Sequence, residues 1–386
     1  MKKTYSLFFL ALFQSITFNL AHPITPSFIS ELGFSNSLFG IFFAAMSLGI
    51  VIGAPIWGYL SDKDHPYKFM ILGSVVYIFG QLGFGFFGSV IPMVLSRFFA
   101  GLGASSLVTI MPALLIQSSS NSEKPKVLSY LGGIIIFGSS LGYYLGGLLS
   151  DFKTSLNFDT YQYVFLVQIF ILILYIILLK IILSPMKNFK MNIKNSWLDS
   201  YKILSKLKTN QILFFYSLML ATMSFTFMSK FLDVHFISQG YSPNHLGFFV
   251  LMTGLFSIFS FIYIIPYFLK FNKMKLLISS LIISAISIIV TFSFSPFVVL
   301  IYSIYLFFIL AKSTYQPTEQ LTISSFEGFT VGELMGIRQF FIGIGMFLGP
   351  ILGGYLYDQS SIFSFYFNAL LLLFSSLLAY FSLKKK

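Results

Sequence analysis

The chain has 386 residues, of which 56% are hydrophobic and 9% charged, and its mean hydropathy is +0.86. Soluble domains carry about 25% charge, so this composition excludes a water-soluble globular protein and makes lipid the solvent. The net charge of +12 does not point to nucleic acid, because the lysines are spread between apolar runs. The absence of cysteine excludes disulfides, thiolate metal sites and a cysteine nucleophile.

Twelve apolar runs follow one another, each long enough to cross a hydrocarbon core of roughly 30 Å as a helix. Span 1 is predicted over 5–29, span 2 over 37–60, span 3 over 69–89, span 4 over 92–117, span 5 over 127–149 and span 6 over 162–184. A polar stretch from about 185 to 210 separates these from span 7 over 211–238, span 8 over 246–269, span 9 over 275–294, span 10 over 298–323, span 11 over 334–357 and span 12 over 362–383. The fold class is therefore all-α and integral to the membrane. The expected domains are an N-terminal six-helix bundle (1–184), a cytoplasmic linker (185–210) and a C-terminal six-helix bundle (211–386).

The first apolar run could pass for a signal peptide, but cleavage after Ala21 would put Asn19 where a small residue is needed. In the linker Trp197, Tyr201, Leu204 and Leu207 recur at helical spacing among lysines. Both a helix lying on the inner leaflet and a solvated tether fit that pattern.

The two halves are copies. LGYYLGGLLSD from Leu141 to Asp151 and LGPILGGYLYD from Leu348 to Asp358 stand 207 positions apart. That offset pairs Gly138 with Gly345, Gly142 with Gly349 and Gly146 with Gly353, and also pairs Ser35 and Gly40 with Ser242 and Gly247. Duplicated helical bundles are typical of secondary transporters, whose sites lie near mid-membrane between the repeats. Glycines at i, i+4 and i+8 allow close backbone approach in lipid, where helices associate by packing. Two matched ladders suit a moving seam, with Pro350 able to kink span 11.

Lysine placement gives a topology. With Lys2 and Lys3 inside and sides alternating, inner segments hold nineteen basic residues and outer segments hold Lys153 alone, which puts both termini in the cytoplasm. The remaining four basic residues, Arg97, Lys230, Lys312 and Arg338, fall within spans. No GxxxxGK[ST] or HExxH occurs, and the connections leave no room for a catalytic domain. The expectation is a carrier, not an enzyme, with no cofactor, metal or nucleic-acid partner.

Several motifs then carry a resemblance. The loop GYLSDKDHPYK, with Gly58, Asp62 and Lys63, is similar to the signature loop GxxxD[RK]xGR[RK] of the major facilitator superfamily, although His65, Pro66 and Tyr67 depart from it. RFFAG in span 4 resembles that family's RxxxG element, through Arg97 and Gly101. GxxxGYxxGG in span 5 and GxxxGPxxGG in span 11 resemble the ladder of its drug/proton antiporter branch, and Pro23 and Pro26 resemble that branch's paired prolines. The resemblance implies two six-helix halves rocking about a central site, a cavity lined by spans 1, 4, 7 and 10, a gating role for Asp62, and proton-driven efflux of small amphiphilic molecules by a monomer in the cytoplasmic membrane.

Charge near the bilayer centre costs roughly 2.5–3.5 kcal/mol on insertion scales, so each such residue is a functional candidate. Span 1 supplies Asn19 and His22, span 4 Arg97, span 7 Lys230 and Asp233, and span 10 Lys312, Gln316 and Glu319. Lys230 and Asp233, spaced i, i+3, suit either a mutually neutralising pair or a proton site. Glu319 near the inner end suits either a proton carrier or a rim residue, and Arg338 reads as a topogenic interface residue. The excess of positive charge favours an anionic or zwitterionic substrate over a lipophilic cation. An uptake permease, a lipid or lysolipid flippase and a non-transporting sensor on a transporter scaffold are compatible with the same residues.

Overall fold

The computed structural model describes residues 2–120, 123–152, 161–183 and 205–384, and every regular element among them is helical. Residues 184–204, most of the expected linker, lie outside the described residues, as does Lys153. Among the described residues eleven helices are long and apolar enough to cross a membrane: Asn36–Ser61, Pro66–Phe86, Val90–Gln117, Lys126–Ser150, Gln162–Leu183, Thr209–Ser238, Pro243–Phe268, Lys273–Ser293, Phe297–Ile323, Glu333–Gln359 and Ser361–Leu383. They are spans 2 to 12.

Span 1, expected as one run, is two helices, Lys2–Asn19 and Thr25–Glu31. Pro23 and Pro26 explain the break, because neither can donate a backbone hydrogen bond and each ring crowds the carbonyl four residues earlier. Between the helices the chain is carried by tight turns, with the His22 N–H donating to the Asn19 carbonyl at 3.2 Å and the Thr25 N–H to the His22 carbonyl at 3.1 Å. Span 8 widens into a π turn at Ser260–Ile264 just before Pro266, where the helix must absorb a missing donor. Span 10 is interrupted between Phe297–Ile301 and Ile304–Ile323.

Helix starts follow local chemistry. The Ser35 hydroxyl accepts from the Leu38 N–H at span 2, and 207 residues later the Ser242 hydroxyl accepts from the His245 N–H at span 8, both at 3.4 Å. Span 11 opens on a capping box in which Thr330 and Glu333 satisfy each other's backbone donors.

The residues gather into two compact units, Met1–Leu38 with Ala45–Ser196 and Phe236–Gly254, and Phe39–Ala44 with Trp197–His235 and Leu255–Lys386. In the first unit spans 3 and 4 approach so closely that a Cβ at Gly80 would meet the Ala100 backbone at 2.5 Å, and one at Gly103 the Tyr77 backbone at 2.4–2.9 Å positions. Its core carries buried Tyr77 and Tyr175, stacked on Phe18 and Phe13 of span 1. A buried amide network crosses it: Gln168 donates to the Thr17 carbonyl at 2.8 Å, and Gln81 donates to the Gln168 amide oxygen at 2.9 Å and to the Tyr77 hydroxyl at 2.8 Å.

In the second unit serines join spans 7 and 12. The Ser217 and Ser375 hydroxyls each donate to the other residue's carbonyl at 2.8 Å, and Ser375 is the 207-offset counterpart of Gln168. Both repeats therefore use the same position of the last span to bond the backbone of the first.

Candidate polar sites in the membrane spans

In the second unit the buried carboxylate of span 10 meets a cation from span 11. The Arg338 Nε donates to Glu319 Oε1 at 2.9 Å and to Oε2 at 3.1 Å, and Nη2 also contacts Oε1. Glu319 is 1% exposed. Arg338 is thus the partner of a buried carboxylate, a contact that its reading as a topogenic interface residue did not include. The multidentate geometry is what a guanidinium offers a carboxylate and a lysine cannot. Glu319 is correspondingly buried within this unit.

The two lysines in the interior of this unit's spans rest on aromatic rings. Lys230 Nζ lies 4.3 Å from the Phe43 ring centroid, and Lys312 Nζ lies 5.8 Å from that of Phe225. Asp233 is buried at 2% exposure. Gln316 is exposed. His235 lies in a cage of Phe292, Phe297 and Phe365, with ring centroids 5.0–5.3 Å away, and its Nδ1 shares a 3.0 Å hydrogen bond with the Tyr357 hydroxyl. Its 207-offset counterpart, Phe28, packs edge-on to Phe84 and Phe165 in the first unit. One repeat places an imidazole where the other places a phenyl ring.

In the first unit the polar residues of span 1 face span 5. Asn19 donates to the Ser15 carbonyl at 2.8 Å and to the Ser139 hydroxyl at 3.1 Å. His22 stacks on Tyr143 with centroids 5.5 Å apart and planes within 4°. This gives Tyr143 a function that Pro350 cannot share, since the counterpart of His22 is Ser229. Arg97 is 2% exposed; its guanidinium carbon sits 3.5 Å above the Phe84 ring centroid and its Nη1 donates to Gln81 Oε1 at 3.3 Å. That places it at the end of the amide network that ties spans 1, 3 and 6 together.

The glycine ladders keep the 207-residue register in three dimensions. A Cβ at Gly138, Gly142 or Gly146 would meet the Leu12, Ile16 or Leu20 carbonyl of span 1. One at Gly345 or Gly349 would meet the Met219 or Met223 carbonyl of span 7, and one at Gly353 the Phe227 ring. Each ladder glycine thus faces the first span of its own repeat. The neighbouring glycines point elsewhere. A Cβ at Gly147 would lie 3.3 Å from the Gly247 Cα in the first unit, and one at Gly40 would lie 3.3 Å from the Gly354 Cα in the second. A Cβ at Gly247 would meet the Tyr143 carbonyl at 2.6 Å, and one at Gly40 would meet that of the counterpart Pro350. Beside the first of these pairs, Asn244 donates to Asp151 at 2.7 Å. The offset was the signal for both pairs, because it aligns Gly40 with Gly247 and Gly147 with Gly354.

The signature-like loop is satisfied locally. Gly58 is buried and its carbonyl accepts from the Ser61 hydroxyl at 2.9 Å; Asp62 belongs to the helix Asn36–Lys63, but its side chain lies outside the described residues. Lys63 lies over the Tyr59 ring at 4.2 Å. Lys68 donates to Asp64 at 2.7 Å, and the His65 N–H donates to the same carboxylate at 2.7 Å. Those two bonds, the lysine's first, hold the Asp64 carboxyl below the usual carboxylate range.

The Major Facilitator Superfamily model matches residues 7–326 and 270–386. The quinolone resistance protein NorA of Staphylococcus aureus is 22% identical over 363 residues, 92% of this chain and 90% of that protein. Multidrug resistance protein 2 of Bacillus subtilis is 24% identical, over 89% of this chain and 86% of its own length. Among solved structures, a bacterial homologue of the human lysosomal transporter Spinster superposes with a TM-score of 0.78 at 9% identity, covering 99% of this chain and 96% of that one. The xylose transporter XylE of E. coli does so with a TM-score of 0.75 at 16% identity, covering 99% and 97%. The twelve-span reading, the duplicated register and the matched family model agree, and the chain belongs to the major facilitator superfamily.

Proposed function

We propose that this transporter exports small amphiphilic molecules in exchange for protons, by alternating access of two repeats in the cytoplasmic membrane. Relatives named for quinolone and multidrug resistance support the export reading. The observation that carries proton coupling is the Glu319–Arg338 pair. A proton taken onto a Glu319 oxygen neutralises the anion that holds Arg338, and release of that proton restores the pair. Such a carboxylate links protonation to the packing of spans 10 and 11. The lysine asymmetry supports a topology with both termini on the cytoplasmic side, and the protein acts as a monomer. Asn19, His22, Arg97, Lys230, Asp233, Lys312 and Gln316 are the remaining candidates for the substrate or proton pathway, and Gly58 and Asp62 for the inner gate.

The test is proton movement in proteoliposomes challenged with dyes, sugars, organic anions and lysolipids. Export coupled to protons predicts that an imposed pH gradient drives accumulation of a substrate, that an uncoupler abolishes it, and that Glu319→Gln loses the gradient dependence while retaining counterflow. Substrate flux indifferent to both gradient and uncoupler would remove proton coupling. Headgroup scrambling without solute flux would favour a flippase.

A further inference from the structure

Lys312 makes no ion pair and no hydrogen bond among the described residues. The buried carboxylate of its own span, Glu319, is committed to Arg338. One turn along, Tyr315 is 4% exposed, and its hydroxyl is buried with no hydrogen-bond partner. Leaving a buried donor unsatisfied is costly, so an orphan hydroxyl in a packed span calls for an explanation.

These two features converge. Lys312 and Tyr315 are spaced i, i+3 and share a helix face. Both meet Phe225 of span 7: the lysine at 5.8 Å from its centroid, the tyrosine ring edge-on at 5.5 Å. Phe308 also packs edge-on to Phe225, at 6.0 Å, and stacks on Tyr305 at 4.8 Å. A cation without a counter-ion and a hydroxyl without an acceptor thus lie beside a continuous aromatic wall. Cation–π contact with Phe225 offsets part of the desolvation of the ammonium but supplies no acceptor for its three N–H groups.

We infer that Lys312 and Tyr315 bind the anionic group of an amphipathic organic anion, with Phe225 and Phe308 receiving its apolar body. This deepens the carrier reading and rests on it. An oxyanion such as a carboxylate or sulfonate accepts from both donors at once, which a cationic substrate cannot do. The position is specific to the second repeat, because the 207-offset counterpart of Lys312 is Ser105. Permanent charge on the ligand keeps its own titration out of the test.

The experiment uses the purified full chain and two probes with the same ring system, a naphthalenesulfonate and a naphthylmethyl-trimethylammonium. Ligand-induced thermal stabilisation and proteoliposome flux are both read. The sulfonate is expected to stabilise and be transported. Lys312→Met should weaken its binding by about tenfold or more and Tyr315→Phe by several-fold, in line with charge-assisted and neutral hydrogen bonds respectively. Lys312→Arg should retain binding within a few-fold, and Lys312→Glu should shift preference to the ammonium. Melting of each variant without ligand verifies folding, and the arginine variant keeps the comparison if the methionine variant is unstable. Binding of the ammonium alone, binding of neither probe, or sulfonate binding unaltered in a folded Lys312→Met overturns the inference. Proton-linked flux of the ammonium alone would overturn it while leaving the carrier reading intact, whereas absence of flux for any solute in the wider screen would count against the carrier reading itself.

Discussion

Gly146→Leu should strip stability from the protein, whereas Gly247→Leu should leave it folded and stop it turning over. A side chain at Gly146 is driven into the Leu20 carbonyl of span 1, with Pro23 also within 3.1 Å. That contact is backbone against backbone within one repeat and has no flexible atom to give way. The expected cost lies at or above the upper end of overpacking, about 3 kcal/mol, and is read as a lower melting temperature and reduced recovery of monodisperse protein. Gly353→Leu should cost less, because the Phe227 ring it meets can rotate or shift. Gly247 instead opposes the Tyr143 carbonyl, beside the Gly147 approach and the Asn244–Asp151 hydrogen bond. If spans 5 and 8 separate there during the cycle, a bulky residue is tolerated in the separated state and blocks only the close one. Equal losses of stability in Gly146→Leu and Gly247→Leu would show that both contacts are static.

The second large effect is expected at the Glu319–Arg338 pair. Removing one member of a buried ion pair leaves an uncompensated charge, at a cost of roughly 3–5 kcal/mol, while replacing both by apolar residues of similar volume is often close to neutral. Arg338→Met should therefore destabilise strongly, and adding Glu319→Leu to it should recover most of the loss. The double variant should still fail to couple flux to protons, because no titratable group remains in the pair. Calorimetry or thermal unfolding in detergent measures the first effect and gradient-driven flux the second. A stable Arg338→Met with normal coupling would reduce the pair to an incidental contact.

Much of this was legible in the sequence, and the exceptions have physical reasons. Hydropathy locates spans because every segment must bury its own backbone polar groups as a helix in lipid. The 207-residue offset survives in the caps Ser35 and Ser242, in the ladder contacts Gly142–Ile16 and Gly349–Met223, and in the Gly147–Gly247 and Gly40–Gly354 approaches. The ladder's partner was less accessible. A run of small residues says that some backbone comes close, not which one, and Gly146 and Gly147 point about 100° apart around the same helix. The first faces span 1 and the second span 8, so adjacent glycines serve different contacts.

Arg338 was hidden as the partner of Glu319 for a related reason. It stands nineteen residues beyond Glu319 across a loop, and only the packing of two antiparallel spans brings them together. Periodicity within one helix carries no such information. Span 1 broke at Pro23 and Pro26, which composition alone left inside a continuous apolar run. The His235 cage was concealed differently: its aromatic members come from spans 9, 10 and 12, which no periodicity within one helix brings together.

If the two repeats work as an alternating carrier, spans 5 and 8 meet and part beside Asp151 and Asn244. The chain contains no cysteine, so an introduced pair reports without background. In Asp151→Cys/Asn244→Cys, whose native side chains stand 2.7 Å apart, a short bifunctional methanethiosulfonate should join the two positions, reduce proteoliposome flux to background, and release it again on reduction. Complete cross-linking with undiminished flux would show that spans 5 and 8 do not part there during transport.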